Sequence, residues 1–299
     1  MARRYTRVIT TPAAARIPRE WNRPFVSLLS DWGARDPSAA ICRSVVLGIA
    51  PDALIVDITH EVDKYQVRHG ALLLWCALPF LPIGAHMAVV DPGVGTSRRP
   101  IALETERGDY LVGPDNGLLL AGAQRLGGVT RCHVIENPQY RLPVVSSTFH
   151  GRDLFAPAAA HLAAGVPLAQ IGPAIDPREL QSVEWPQITV QNGSLETAVI
   201  YCDTFGNVKL AGLTADLTDA LGLLYPGMEL TLSVGNGSGV RSERITWQAS
   251  FGGVPVGRRL LYEDSYGRLC IAENQGNAAR SLELSDGVPV AIARGHATE

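Results

Sequence analysis

The feature that most constrains this chain is a single change of rhythm near residue 176. From Pro24 to about Ala174, short apolar runs (Phe25-Val-Ser-Leu-Leu29, Leu54-Ile-Val-Asp-Ile58, Met87-Ala-Val-Val90) alternate with helical stretches over 38–49 and 67–77. That alternation predicts βαβ units and a mainly parallel sheet. Asp36-Pro37-Ser38 offers capping chemistry to the first helix, and Pro79 stops the second. Both helices are expected to cover one face of the sheet. After Asp176-Pro-Arg-Glu-Leu180 and the Trp185-Pro186 break come short strands and glycine-rich turns: 197–201, 229–234, 244–249 and 288–292. They predict a small antiparallel barrel or sandwich. The expected organisation is a solvated N-terminal arm over 1–23, an α/β domain over 24–176, a linker over 177–190 and an all-β barrel domain over 191–299.

Two glycine-rich segments are tested against nucleotide chemistry and set aside. Gly235-Asn-Gly-Ser-Gly239 lies between two strand-like runs with no helix after it, which is hairpin-turn context. Gly93-Val-Gly95 follows a strand, but Arg98 stands where a dinucleotide fingerprint needs its third glycine. With 46% hydrophobic and 18% charged residues, a 299-residue chain buries a large core. A net charge of −3, a pI near 6.2 and no long Lys/Arg stripe argue against a nucleic-acid partner and for a small neutral or zwitterionic ligand. Cys42, Cys76, Cys132, Cys202 and Cys270 are scattered, without a C-x-x-C pair, so neither a disulfide framework nor a zinc site is predicted. Arg3, Arg4, Arg7 and Arg16 stud an opening segment that lacks the apolar run of a signal peptide, and no window is apolar for long enough to span a membrane. The expectation is a cytoplasmic protein with no membrane partner.

Three polar clusters interrupt the apolar sequence: Asp91-Pro-Gly-Val-Gly-Thr-Ser-Arg98, Gly113-Pro-Asp-Asn-Gly117 and Ser147-Thr-Phe-His-Gly-Arg-Asp153. The first two follow short apolar runs, so they fall where buried strands end, the place at which open α/β sheets build sites. Taken singly, each residue has a structural reading. Asp91 opens a turn, Arg98 is one of two adjacent solvated arginines, and His150 caps the helix that follows.

Together with Ser30-Asp-Trp-Gly33, Asp203-Thr-Phe-Gly-Asn207 and Asn274-Gln-Gly-Asn277, these clusters run in order from about Pro24 to Arg294. The series resembles the S-adenosyl-L-methionine hydroxide adenosyltransferases, relatives of the fluorinase and chlorinase. The resemblance implies an α/β domain followed by a β-barrel, and a homotrimer with each active site between the N-terminal domain of one subunit and the C-terminal domain of its neighbour. It implies hydrolysis of S-adenosyl-L-methionine at ribose C5′ to adenosine and L-methionine, with no metal and no other cofactor. The water-activating set implied is Asp91, Arg98 and His150, in which a guanidinium orients a carboxylate and a histidine exchanges a proton near neutral pH. Whether Asp91 or His150 takes the proton is left open, and a one-residue shift would exchange Arg98 with Arg99.

For substrate binding, the resemblance implies Asp31 on the ribose hydroxyls, Asp36 and Ser38 near the ammonium, and Tyr65 packed on the nucleoside. Asp36-Pro-Ser38 serves equally well as an ordinary helix start. From the barrel it implies Asp203, Phe205 and Asn207 at the adenine and amino-acid end, Ser265 and Tyr266 at the methionine carboxylate, and Asn274 with the Gln275 backbone near adenine. Halogenases carry an aromatic residue at the position of Asp91, where a carboxylate repels halide. Here only residues 100–109 follow Arg99 before the next strand, where the fluorinase has a long insertion. The alternatives are a halogenase and a non-catalytic module that binds S-adenosylmethionine or adenosine.

Overall fold

The computed structural model describes residues 3–5, 23–235 and 239–295. They form two compact units, one running to Glu184 and one from Trp185 onward that also takes in Arg3–Tyr5 (β1).

The first unit contains β2 (Phe25–Ser30), α1 (Ser38–Ile49), β3 (Leu54–Thr59), α2 (Val67–Ala77), β4 (Ala85–Val89), β5 (Pro100–Thr105), β6 (Tyr110–Pro114), α3 (Leu118–Arg125), β7 (Val129–Val134), α4 (Ala156–Ala163) and β8 (Ala174–Ile175). The sheet order is β3-β2-β4-β6-β5-β7-β8. The first four strands are parallel, while β5, β7 and β8 complete the sheet by antiparallel pairings. Every residue of β2 and β4 is buried, as expected of strands covered on both faces.

The helices divide between those faces, which corrects the expectation that α1 and α2 share one. Val26 and Leu28 of β2 and Ala85, Met87 and Val89 of β4 join Cys42 and Val46 of α1 and the alanines of α4 in one core. By contrast, α2 packs on α3, with Gly70 against Leu118 and Gly122 against Leu74. The cause is strand order. A right-handed crossover from β2 to β3 moves one way along the sheet, and the next, from β3 back past β2 to β4, moves the other way, so its helix lands on the opposite face. The N-terminus of α1 holds a second correction: Pro37 occupies the cap position and no side chain caps the helix. Neither Asp36 nor Ser38 supplies the expected bond.

At the N-terminal end of the parallel strands lies a sealed polar relay. Ser27 Oγ is 2.8 Å from His86 Nδ1, and His86 Nε2 is 3.0 Å from Asp109 Oδ1, with both the His and Asp side chains 0% exposed. Arg107 closes the other side with bonds of 2.7 and 2.8 Å to the same carboxylate. Burial alone would raise the Asp109 pKa, but hydrogen bonds from Arg107 and His86 bring it down to about 2.

The second unit contains β9 (Ile188–Gln191), β10 (Ser194–Cys202), β11 (Val208–Leu213), α5 (Thr214–Leu221), β12 (Glu229–Val234), β13 (Arg241–Trp247), β14 (Arg259–Glu263), β15 (Arg268–Glu273), α6 (Ala278–Leu282) and β16 (Pro289–Arg294). The order β10-β11-β15-β14-β13-β12-β16 closes on itself because β16 also pairs with β10. The result is a seven-stranded barrel rather than a sandwich, and closure removes the edges at which sheets aggregate. β12 and β13 pair in hairpin register around the glycine-rich segment, whose tip, 236–238, lies outside the described residues.

β1 pairs antiparallel with β9, which continues the ladder from β10. Arg3–Tyr5 thus form a strand rather than part of a solvated arm, and 6–22 lie outside the described residues. Among the described residues no helix is long and apolar enough to cross a membrane.

Candidate active site

In the parallel part of the sheet, β2 is followed in the chain by its neighbour on one side, β3, and the chain then returns to its other side, β4. The crevice between the C-terminal ends of β2 and β4 is therefore a topological switch point, where open α/β sheets bind ligands. Asp31 directly follows β2 and Asp91 lies two residues beyond β4, on strands whose last residues, Ser30 and Val89, are register partners. Asn116, after β6, donates to the Val90 carbonyl at 2.8 Å and fixes the backbone leading into Asp91.

Arg98 returns from the loop after Asp91 to grip it with two bonds, Nε to Oδ1 at 3.1 Å and Nη2 to Oδ2. The same Nη2 is 3.0 Å from His150 Nδ1, and the guanidinium lies over the Phe155 ring at 5.3 Å. Asp91, Arg98 and His150 therefore form one cluster. Arg99 turns away, binding Asp115 at 2.9 and 2.6 Å and the Glu179 carbonyl at 2.8 Å, which removes the ambiguity between the two arginines. The Asp91 and Arg98 side chains are only 6% and 7% exposed, yet Arg98 Nη1 is buried without a hydrogen-bond partner. A charged donor left open in so enclosed a place is what a ligand-binding centre requires.

His150 begins a π-helical turn, Gly151–Phe155, and its side chain makes no cap, so the capping alternative fails. Asp153 inside that turn is 0% exposed and accepts from Arg152 at 2.6 Å and from the Ser146 amide at 2.8 Å, folding 146–153 onto itself. Gly95, at φ +79°, lets the Asp91 loop meet this segment, since a Cβ there would lie 2.5 Å from the Ser147 carbonyl. Burial, and then the Arg98 charge, hold the His150 pKa below the usual histidine range, while Asp91 and Asp153 pull weakly the other way. The ring is neutral at neutral pH. Because a guanidinium only donates, Nδ1 is the acceptor and the neutral ring carries its proton on Nε2.

Asp31 is buried at the crevice floor, and its Oδ2 accepts the Tyr65 amide at 3.0 Å. Lys64 donates to the Asp31 carbonyl. Tyr65 has φ +66°, a left-handed conformation costly for a bulky residue, and its ring is 70% exposed. The strained residue thus stands exposed with its backbone amide on the Asp31 carboxylate. Asp36 is exposed and Ser38 half-buried at the start of α1. Trp32 and Phe149 fall inside the sequence motifs, but sequence reasoning missed their grouping with His60 beside this crevice. Trp32 meets His60 and Phe149 at 6.0 and 5.7 Å between ring centroids. No motif spacing marks such a cluster, because its members are brought together from the ends of β2 and β3 and from the loop before the π-helical turn.

In the barrel, Asp203 accepts from the amides of Phe205 and Asn207 at 3.0 and 2.9 Å and from the Asn207 side chain at 2.9 Å. This carboxylate organises its own loop and leaves Phe205 77% exposed at the tip. Asp264 does the same for the turn that carries Ser265 and Tyr266, accepting from the Tyr266 and Arg268 amides while its other oxygen binds Lys209 at 2.5 Å. Asn274 spends its side chain on the Val254 carbonyl at 2.7 Å, and Gln275 is left-handed at φ +55°. Burial, and then the neighbouring Cys270, raise the Tyr262 phenol above its usual range, with smaller contributions from the charges of Asp264 and Asp203.

Comparison with known proteins agrees with this anatomy. Residues 26–172 match the SAM hydroxide adenosyltransferase N-terminal domain and residues 197–291 the C-terminal domain of the same family. An (R)-S-adenosyl-L-methionine hydrolase of Salinispora arenicola is 40% identical over 272 residues, 91% of this chain and 98% of that protein. A fluorinase of Actinopolyspora mzabensis is 27% identical, covering 92% and 98% of the two chains. The crystal structure of an uncharacterised conserved protein from Thermotoga maritima superposes with a TM-score of 0.82 at 34% identity, covering 90% of this chain and all of that one. Matched across both domains in order, this chain belongs to the SAM hydroxide adenosyltransferase family.

Proposed function

We propose that this enzyme hydrolyses S-adenosyl-L-methionine, taking the (R)-sulfonium epimer that the names of its relatives specify. The observation that carries the reading is Arg98 bridging Asp91 and His150 at the switch point, with one buried guanidinium nitrogen still unpartnered. Water held there attacks ribose C5′ in line with the sulfonium. As the C–O bond forms, the C5′–S bond breaks and its electron pair neutralises sulfur, giving adenosine and L-methionine. His150 presents an N–H from Nε2, so it orients the attacking oxygen, and Asp91 receives the departing proton and passes it to solvent. Arg98 holds both partners throughout.

Around this centre, Asp31 accepts from the ribose hydroxyls, Tyr65 packs on the nucleoside, and Asp36 and Ser38 face the ammonium. In the barrel, Phe205 and Asn207 take adenine, Asp203 positions their loop, Ser265 and Tyr266 hold the methionine carboxylate, and Asn274 and Gln275 border the base. The proposal includes the homotrimer, in which each site is shared between subunits, and a reaction that needs no metal or redox cofactor. Light scattering that returns a monomer with full activity would remove the trimer.

The test is incubation of each epimer in water enriched in heavy oxygen, followed by mass spectrometry of the nucleoside. One heavy oxygen at the 5′ position of adenosine is expected, with the (R) epimer consumed faster. Binding without turnover would overturn the reading. A 5′-halonucleoside formed in chloride or fluoride would replace it with halogenation, an outcome that the carboxylate of Asp91 opposes.

A further inference from the structure

We propose that Trp32 and His60 are positioning residues that set the spacing between Asp31 and His150, an inference that rests on the hydrolytic reading of the site. Neither residue needs to touch substrate for this role. The His60 ring is held by a hydrogen bond at Nδ1, 2.7 Å from Ser30 Oγ, while its buried Nε2 lies 3.3 Å from Asp57 Oδ1 without forming a hydrogen bond. Arg43 pairs with the other oxygen of Asp57. On this fixed ring lies the Trp32 indole, stacked at 6.0 Å between centroids with only 6° between planes. The Gly33 amide donates to the His60 carbonyl at 2.6 Å, tying the two segments at the backbone as well.

The indole then reaches the other half of the centre. Its edge meets the Phe149 ring at 5.7 Å and 89°. It also lies so close to Gly151 that a Cβ there would be 2.5 Å from Trp32 Cζ2. Ser30 and Trp32 are the chain neighbours of Asp31, and Phe149 and Gly151 are those of His150. One rigid indole therefore separates the flanks of the ribose-holding carboxylate from the flanks of the water-orienting imidazole. Its thickness on one side and its width on the other fix where His150 stands relative to the bound ribose. Misplacement of a reacting group by about 1 Å costs on the order of a hundredfold in rate.

The test uses the full chain labelled with nitrogen-15 in histidine, with His150 assigned by the resonances lost in His150→Gln. At one pH and without substrate, Trp32→Leu and His60→Leu are expected to move the His150 ring resonances. Trp32→Phe, which keeps a ring on His60, should restore them in large part. Gly151→Ala, which presses on the indole from the far side, should also shift them. In turnover assays the two leucine variants should lose roughly tenfold to a hundredfold in kcat, with KM within about threefold, because the grip on ribose survives. Unchanged His150 resonances in folded Trp32→Leu, His60→Leu and Gly151→Ala overturn the proposal whatever the activity. Failure of the wild-type protein to hydrolyse the substrate would count against the functional reading alone, since the resonance arm is decided without it.

Discussion

The α/β domain contains the same trio of arginine, aspartate and histidine at both ends of its sheet. At the N-terminal end, Arg107, Asp109 and His86 close a circuit with Ser27 in which both the acid and the imidazole are fully buried and bonded. At the C-terminal end, Arg98, Asp91 and His150 are joined by equally direct bonds, but Arg98 Nη1 has no partner and His150 is only half-buried. Residue types therefore do not distinguish a brace from a reactive centre. Unfilled bonding capacity does, together with a place in the crevice where the sheet connections reverse.

Several experiments would break or sharpen that contrast. Asp91→Ala and His150→Ala should reduce turnover by about 10²–10⁴-fold while moving substrate affinity far less, as expected of groups that act in the transition state. Equal losses in kcat and affinity would make them binding residues. Asp109→Ala should do the opposite, destabilising the fold by about 3–5 kcal/mol because a buried imidazole loses its charged partner. Chemical denaturation would measure the loss, and the protein that remains folded should keep its specific activity.

The two ends should also respond to acid differently. Asp109 has a pKa lowered from 3.8 to about 2, so its stabilising contribution is complete above pH 4 and is lost as pH falls towards 2. That contribution is on the order of 2 kcal/mol. Asp109→Asn should flatten this part of the stability curve. His150, lowered by burial and by Arg98, should give the kcat profile an acid limb below the ordinary histidine value near 6.5. Activity lost on the alkaline side as the ring deprotonates would instead mean that the ring works as a cation. The smallest effect concerns Asp36, exposed beside an uncapped helix: Asp36→Ala should change stability by no more than about 0.5 kcal/mol. A rise in KM with no change in melting temperature would place it on the substrate.

Much of this layout is legible in the sequence because short apolar strands end at polar loops, and the eye finds Asp91 there without coordinates, whereas His150 stands out only as part of the motif series. What periodicity does not carry is direction. Helix faces follow from strand order, so α1 and α2 lie on opposite faces although their patterns look alike. Arg98 and Arg99 are equivalent in sequence and become distinct only when alternate side chains take opposite sides of one strand approach. The sealed circuit escaped notice because Ser27 and His86 come from separate strands and Arg107 and Asp109 from the turn before β6, and a satisfied buried histidine leaves no local mark. The capping expectation at Asp36-Pro-Ser38 failed for a simpler reason: proline occupies the cap itself and has no side-chain acceptor.

The pairing of β1 with β9 has a consequence for biosynthesis. Residues translated ahead of the α/β domain find their strand partner only after the whole of that domain has been made. In topological terms that domain is an insert within the chain of the barrel domain. Vectorial folding can then complete the insert while the opening strand waits, and the barrel is sealed last by β16 against β10. Deleting Arg3–Tyr5 would remove a paired strand rather than trim a tail.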